Sequence, residues 1–119
     1  GAISAHAGEM VLIPFNMRDG AVIARGKGNE DWNCSAPHGT GRAMSRTKAF
    51  QTLDTRSFVD EMRDAGIYCP SACETTLDES PEAYKTADDV LRLMDPTVDV
   101  IHRLKPIWNY KATGKRGRR

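Results

Sequence analysis

In the run Ser35-Ala36-Pro37-His38-Gly39-Thr40-Gly41-Arg42-Ala43-Met44-Ser45-Arg46, one imidazole stands between a proline and a glycine. A second glycine follows at Gly41, and arginines follow at positions 42 and 46. Glycines beside a nucleophile let a bulky phosphate approach the main chain and meet its N–H groups. Guanidinium forks match the geometry of phosphate oxygens. A neutral imidazole nitrogen can attack phosphorus and later depart, as a covalent nucleotidyl carrier must. The run therefore predicts a phosphate-handling loop with His38 as its nucleophile; a packed loop histidine is the plain structural alternative.

Such a loop needs a scaffold, and the flanking sequence supplies one. Residues 10–15 form an apolar run and residues 21–24 are small or β-branched, with Asp19-Gly20 between them, which predicts a β-hairpin. Residues 26–41 lack periodicity and read as an ordered active-site loop. Residues 41–50 begin a short helix that would aim its first N–H groups at a bound anion. The clearest helix spans 54–65, capped by Asp54 or Thr55, with Phe58, Val59, Met62 and Ala65 on one face and Gly66 as its stop. Residues 67–72 read as an edge strand broken by Pro70, and 75–85 as an acidic loop around Pro81. Thr86 caps a second helix, Ala87–Met94, with Asp88 and Asp89 in the first turn, and Pro96 ends it. Val98, Val100 and Leu104 alternate along 98–111, which reads as one or two final strands. The expected class is α+β, with mixed or antiparallel strands and two to three short helices.

At 119 residues the chain has the length of one domain. Its net charge of +1, with 28% charged residues, sets up no global field toward nucleic acid. Basic charge is local instead: Lys115, Arg116, Arg118 and Arg119 crowd the end, as a solvated tail or a phosphate-contacting arm. No apolar run approaches the ~18 residues of a membrane span and no secretory signal opens the sequence, so a soluble cytoplasmic protein is expected. Three cysteines, an odd count, argue against a disulfide framework and for a reducing compartment. Cys34 with His38 and Cys69 with Cys73 could supply four zinc ligands, although structural zinc pairs favour tighter spacing.

Several ordered motifs carry a resemblance: Val11-Leu12-Ile13-Pro14-Phe15-Asn16-Met17-Arg18-Asp19-Gly20, Gly26-Lys27-Gly28-Asn29, the histidine loop, Glu79-Ser80-Pro81-Glu82-Ala83-Tyr84-Lys85, and Leu104-Lys105-Pro106-Ile107 closing near Lys111. In this order and spacing the chain resembles the carboxy-terminal part of the RtcB family of RNA-splicing ligases over residues 1–112. The resemblance implies a GTP- and manganese-dependent RNA ligase of the tRNA-splicing and RNA-repair type. It would join an RNA 3′-phosphate or 2′,3′-cyclic phosphate to a 5′-hydroxyl through a GMP–histidine intermediate. It makes His38 catalytic and, with Gly39, Thr40 and Gly41, nucleotide-binding. Pro14, Phe15, Asn16, Met17 and Ala21 would cup the nucleotide, and Tyr84 would border the guanine. Lys111 would donate to the guanine carbonyl oxygen, while Arg42 and Arg46 would meet RNA or triphosphate oxygens.

The chain departs from the family at Phe15-Asn16, where relatives often have Gly-Ser, at Ala21, where many carry a hydroxyl, and at Ala112, where glycine is usual. The family's metal ligands, a cysteine, an aspartate and histidines, lie upstream of the matched stretch, so none is expected here. Residues 1–112 are accordingly expected to be the carboxy-terminal segment of a larger ligase domain, with 113–119 a basic tail. In isolation that segment should not ligate, and Val11, Leu12, Ile13 and the final strands should be left bare. The alternative is a nucleotide- or RNA-binding fragment of the same fold without activity.

Overall fold

In the computed structural model the structure describes residues 1–112; the basic tail of residues 113–119 lies outside the described residues. Among the described residues four strands come first, three helices follow, and a fifth strand closes the order. They are β1 (Ala2–Ser4), β2 (Met10–Pro14), β3 (Ala21–Gly26), β4 (Ser35–Pro37), α1 (Arg46–Thr52), α2 (Thr55–Asp64), α3 (Ala87–Met94) and β5 (Val98–Leu104). All strand pairs are antiparallel, and the class is α+β.

The hairpin forms as its alternation requires. Val11 and Ile13 point inward from β2, Val22 and Ala24 from β3, and the register runs from Met10↔Arg25 to Pro14↔Ala21. The side chain of Asn16 sets the turn: its Oδ1 accepts the N–H groups of Arg18 and Asp19, at 3.0 and 2.9 Å. β5 pairs with the other edge of β3, giving the order β2-β3-β5, with a register shift between Ile23 and Ala24.

Helix α3 covers the inner face of this sheet. Thr86 accepts the Asp89 N–H as the cap, and Ala87, Val90 and Met94 pack with Val11, Ile13, Phe15, Val22, Ala24 and Val98. Each of the valine, isoleucine, phenylalanine and methionine side chains among them contributes about 1.5–3 kcal/mol by leaving water, so this face holds the unit together. A second cluster forms beside the hairpin turn, where Met17 meets Phe58, Met62, Ile67 and Leu77. Asp54 caps α2 by accepting the Ser57 N–H.

The observed structure departs from the sequence expectations at six points. Residues 67–72 form no strand; Pro70 lacks a donor, and only Tyr68 makes a bridge, parallel to Trp108. Residues 75–85 are not a plain loop but include most of one 3₁₀ turn, Glu74–Glu79, and all of another, Pro81–Ala83. The helix expected from residue 41 begins at Arg46, because Ser45 accepts the Lys48 N–H and caps it there. Within 26–41 lie a 3₁₀ turn, Glu30–Trp32, and β4, which pairs with β1. Finally, Val11 and Ile13 are buried beneath α3, whereas Leu12 is 57% exposed and β5 is exposed beyond Val98. Only the outward set of the alternation stays bare. Val59 likewise faces out of α2, leaving Phe58 and Met62 as its inward pair.

Candidate functional site

Strand β4 delivers His38. It pairs with β1 from Ala2↔Pro37 to Ser4↔Ser35, and the His38 N–H extends the ladder by donating to the Gly1 carbonyl at 3.2 Å. The backbone on which the imidazole is mounted is therefore fixed, while the residue itself is exposed. At Gly39 a Cβ would stand 3.4 Å from the Pro14 carbonyl oxygen, so this loop lies against the end of β2. Thr40 is 5% exposed and its hydroxyl has no hydrogen-bond partner. A buried hydroxyl without a partner costs free energy unless something supplies one; here the hydroxyl lies in the histidine loop, next to Gly39.

The loop is tied to the Pro-x-Ala-Tyr-Lys motif. Ala43 N–H donates to Ala83 O at 2.8 Å, Lys85 N–H to Gly41 O at 3.1 Å, and Arg42 and Tyr84 form an antiparallel bridge. The two motifs are thus adjacent in space although some forty residues separate them in sequence.

On the other side of Pro14 a cleft of about 300 Å³ opens between the hairpin turn and the segment after β5. It is lined by Pro14, Phe15, Asn16, Met17, Gly20, Ala21, Leu104, Lys105, Pro106, Asn109 and Lys111. A mostly apolar wall with a few polar groups is the usual make-up of a small-molecule site. Pro14, Phe15, Asn16, Met17, Ala21 and Lys111, all expected to meet the nucleotide, come together here. The Asn16 amide is engaged in the turn, with Nδ2 donating to Asp19 Oδ2 at 2.9 Å and Oδ1 accepting two N–H groups. It shapes the wall more than it offers contacts.

The turn carries its own charge cluster. Burial opposes ionisation of Asp19, but hydrogen bonds from Arg18 and Asn16 outweigh it and hold the carboxyl below its ordinary range. Asp19 Oδ2 also accepts the Ala87 N–H at 3.2 Å, fastening the turn to the start of α3. Arg18 reaches Glu61 at 3.3 Å, but out of line for a hydrogen bond, so Glu61 Oε1 is buried without a donor.

A second network joins the residues expected to meet phosphate. Arg42 stacks over the Tyr84 ring, 4.9 Å from its centroid. Its Nε donates to Met44 O at 2.9 Å, Nη2 to Asp78 O at 2.7 Å and Nη1 to Tyr84 Oη at 3.2 Å. Arg42 is therefore turned inward, where it braces the loop. Arg46 Nη1 lies 2.6 Å from Asp78 Oδ2 and 2.7 Å from Glu79 Oε1. Tyr84 donates to Glu79 Oε2 at 2.7 Å, and Lys111 Nζ approaches the same oxygen at 3.8 Å. Burial would raise the Glu79 carboxyl, yet hydrogen bonds from Arg46 and Tyr84 hold it below the ordinary range. Burial, then the bond to Glu79, raises the Tyr84 phenol. Lys111 is placed by its main chain as well, its N–H donating to Ser71 Oγ at 2.8 Å.

Among the described residues no three His, Cys, Asp or Glu side chains gather into a group able to hold a metal ion. Cys34, His38, Cys69 and Cys73 do not form the four-ligand zinc site, and the three thiols are free. The described residues equally do not fit a manganese site. No helix among them is long and apolar enough to cross a membrane.

Sequence reasoning left several of these residues without a role: Glu79, Ser71, Asn109, Lys105 and Gly20. Glu79 opens a motif that carries the family resemblance and Lys105 lies within another, so a signal existed for those two. Ser71 and Asn109 act through single long-range hydrogen bonds, which leave no local pattern.

A family model described as tRNA-splicing ligase RtcB matches residues 1–112. The chain is 42% identical over 108 residues to the RNA-splicing ligase RtcB of Escherichia coli strain K12, covering 90% of this chain and 26% of that protein. It is 36% identical over 105 residues to the tRNA-splicing ligase RtcB of Aeropyrum pernix, covering 84% of this chain and 22% of the relative. With the counterpart from Archaeoglobus fulgidus it shares 38% over 99 residues, 81% of this chain and 19% of that protein. The chain thus spans about a quarter or less of the length of these curated relatives.

Proposed function

The chain belongs to the RtcB family of tRNA-splicing ligases, and from that premise we propose that it carries the nucleophile and the guanine-binding part of a GTP-dependent RNA ligase. Residues 1–112 then act as the carboxy-terminal segment of a larger ligase domain in the cytoplasm, with 113–119 as a basic tail.

GTP is a substrate in this reading. A ring nitrogen of His38 attacks its α-phosphorus, the bond to the β-phosphate breaks, and pyrophosphate leaves with that electron pair. The GMP on His38 passes to an RNA 3′-phosphate, itself present or formed from a 2′,3′-cyclic phosphate, and His38 is regenerated. A 5′-hydroxyl of the second RNA end then attacks the activated phosphate and displaces GMP, closing the phosphodiester. Manganese, with ligands elsewhere in the longer protein, would neutralise phosphate charge.

What supports the reading is one observation above the others: Pro14, Phe15, Asn16, Met17, Ala21 and Lys111, which the resemblance assigns to the nucleotide, line a single cleft, and Gly39 of the histidine loop borders it at Pro14, whereas His38, Thr40, Gly41 and Tyr84 lie outside its lining. The base would enter between the hairpin turn and Lys111, whose three N–H donors suit the guanine carbonyl oxygen. The unpartnered Thr40 hydroxyl fits an incoming phosphate oxygen. Arg46 remains partly exposed and suits RNA phosphate, whereas Arg42 positions the loop.

The test is covalent labelling of the full-length protein with GTP radiolabelled at the α-phosphate. An acid-labile adduct is expected in the wild type and none in His38→Ala. Equal labelling of the two would make His38 the wrong nucleophile.

A further inference from the structure

We propose that Glu79 is a positioning residue that sets base selectivity, holding the Lys111 amine in place for a carbonyl oxygen on the base. The inference rests on the reading that Lys111 meets guanine.

The two oxygens of Glu79 divide their work. Oε1 accepts from Arg46 at 2.7 Å, while Oε2 accepts from the Tyr84 hydroxyl at 2.7 Å and lies 3.8 Å from Lys111 Nζ. The side chain of Glu79 is 15% exposed, against 40% for Lys111 and 53% for Arg46. The anion is thus the fixed member of the cluster and the cations are the adjustable ones. It is fixed because it closes the 3₁₀ turn Glu74–Glu79, with Pro81 just beyond, and because Arg46 grips the adjacent Asp78 in the same stroke.

Lysine is a point charge on a flexible four-carbon stem, and ordering it costs rotamer entropy. Here the stem is constrained at both ends. Ser71 Oγ holds the main-chain N–H, and Glu79 attracts the ammonium. The 3.8 Å separation matters, since it is within Coulombic reach yet longer than a hydrogen bond. The amine is steered without being saturated, and its N–H donors stay available to a ligand. A fixed donor at that point favours a purine with a carbonyl acceptor and disfavours one presenting an amino group there, because two donors would face each other. Base discrimination built on one polar contact is strong only when the contact is held in place.

Full-length protein carrying Glu79→Gln, Lys111→Ala or both is labelled with GTP and, separately, with ATP, each radiolabelled at the α-phosphate. Lys111→Ala lowers the ratio of GTP to ATP labelling. Glu79→Gln lowers it by about tenfold, the middle of the range for coupled neighbouring side chains, and adds nothing in the double variant. Equal losses with both nucleotides in Glu79→Gln, with Lys111→Ala still lowering the ratio, would overturn the proposal and leave Glu79 as framework. An unchanged ratio in Lys111→Ala overturns the base-contact reading itself and this proposal with it. Should Glu79→Gln not fold, Glu79→Asp keeps the charge on a shorter stem and loses the 3.8 Å approach first. Its ratio then falls by a smaller factor, and an unchanged ratio again overturns the proposal.

Discussion

Replacing Gly20 by alanine tests whether β5 truly closes against the hairpin turn. The residue has φ of +80°, and a Cβ built on it would overlap the Leu104 carbonyl oxygen and approach Pro106 Cδ at 2.9 Å. Two costs add. Left-handed backbone costs an L-residue about 1–2 kcal/mol. Overpacking against a main-chain oxygen, which cannot rotate aside, costs a further ~1–3 kcal/mol. Gly41 separates the two, since its φ is +71° and a Cβ there would meet nothing within 4 Å. Urea unfolding followed by circular dichroism should give Gly41→Ala the backbone cost alone, and Gly20→Ala about 1–3 kcal/mol more. Against a total stability on the order of 5–15 kcal/mol, that difference is readily measured. Equal losses in the two variants would refute the close approach of Leu104 and Pro106 to the turn, and with it the wall of the cleft.

Glu61 gives a prediction of opposite sign. Burial raises its carboxyl above the ordinary range despite Arg18 nearby, so its folded pKa exceeds the unfolded value of about 4.3 and stability is lost as pH rises through the folded pKa. Glu61→Gln should therefore melt higher than the wild type at pH 7, with the gain vanishing below about pH 4; a lower melting temperature at pH 7 would contradict this. Asp54→Ala removes the cap of α2 and should cost about 1 kcal/mol in the same urea experiment, and no measurable loss would show that α2 does not depend on it.

The hairpin was legible because its alternation and its Asp19-Gly20 pair both point to one answer, and α3 because Thr86, two early aspartates and the apolar spacing agree. Segment 67–72 was misread. Ile67, Tyr68 and Cys69 look like a strand, but one bridge to Trp108 and a buried Ile67 satisfy them, and a single bridge leaves no period in the sequence. In the candidate site, the sequence motifs single out Pro14, Phe15, Asn16, Met17, Ala21 and Lys111, which the fold brings to one cleft. Glu79 could not be given its role, because that role consists of meeting Arg46, Tyr84 and Lys111, which only the fold brings together. Arg42 shows the complementary limit: its type suits phosphate, yet each nitrogen of its guanidinium already donates within the fold, to Met44, Asp78 or Tyr84.

The placement of β5 also governs the order of assembly. Its strand neighbour β3 is followed by all three helices before β5 arrives, and the Asn109 amide reaches the Met17 carbonyl across 92 positions of sequence. Pairing of such high contact order forms slowly, since loop closure must precede the contacts that reward it. A chain emerging from a ribosome can fold the hairpin early, because folding proceeds from the amino-terminal side. Until residues 98–111 dock, however, β3 presents an unpaired edge with the outward Leu12 of β2 close by, and open edges of this kind recruit other chains. The strand that covers this edge also brings Leu104, Lys105, Pro106, Asn109 and Lys111 to the cleft. Protection from aggregation and completion of the cleft wall are therefore one folding event.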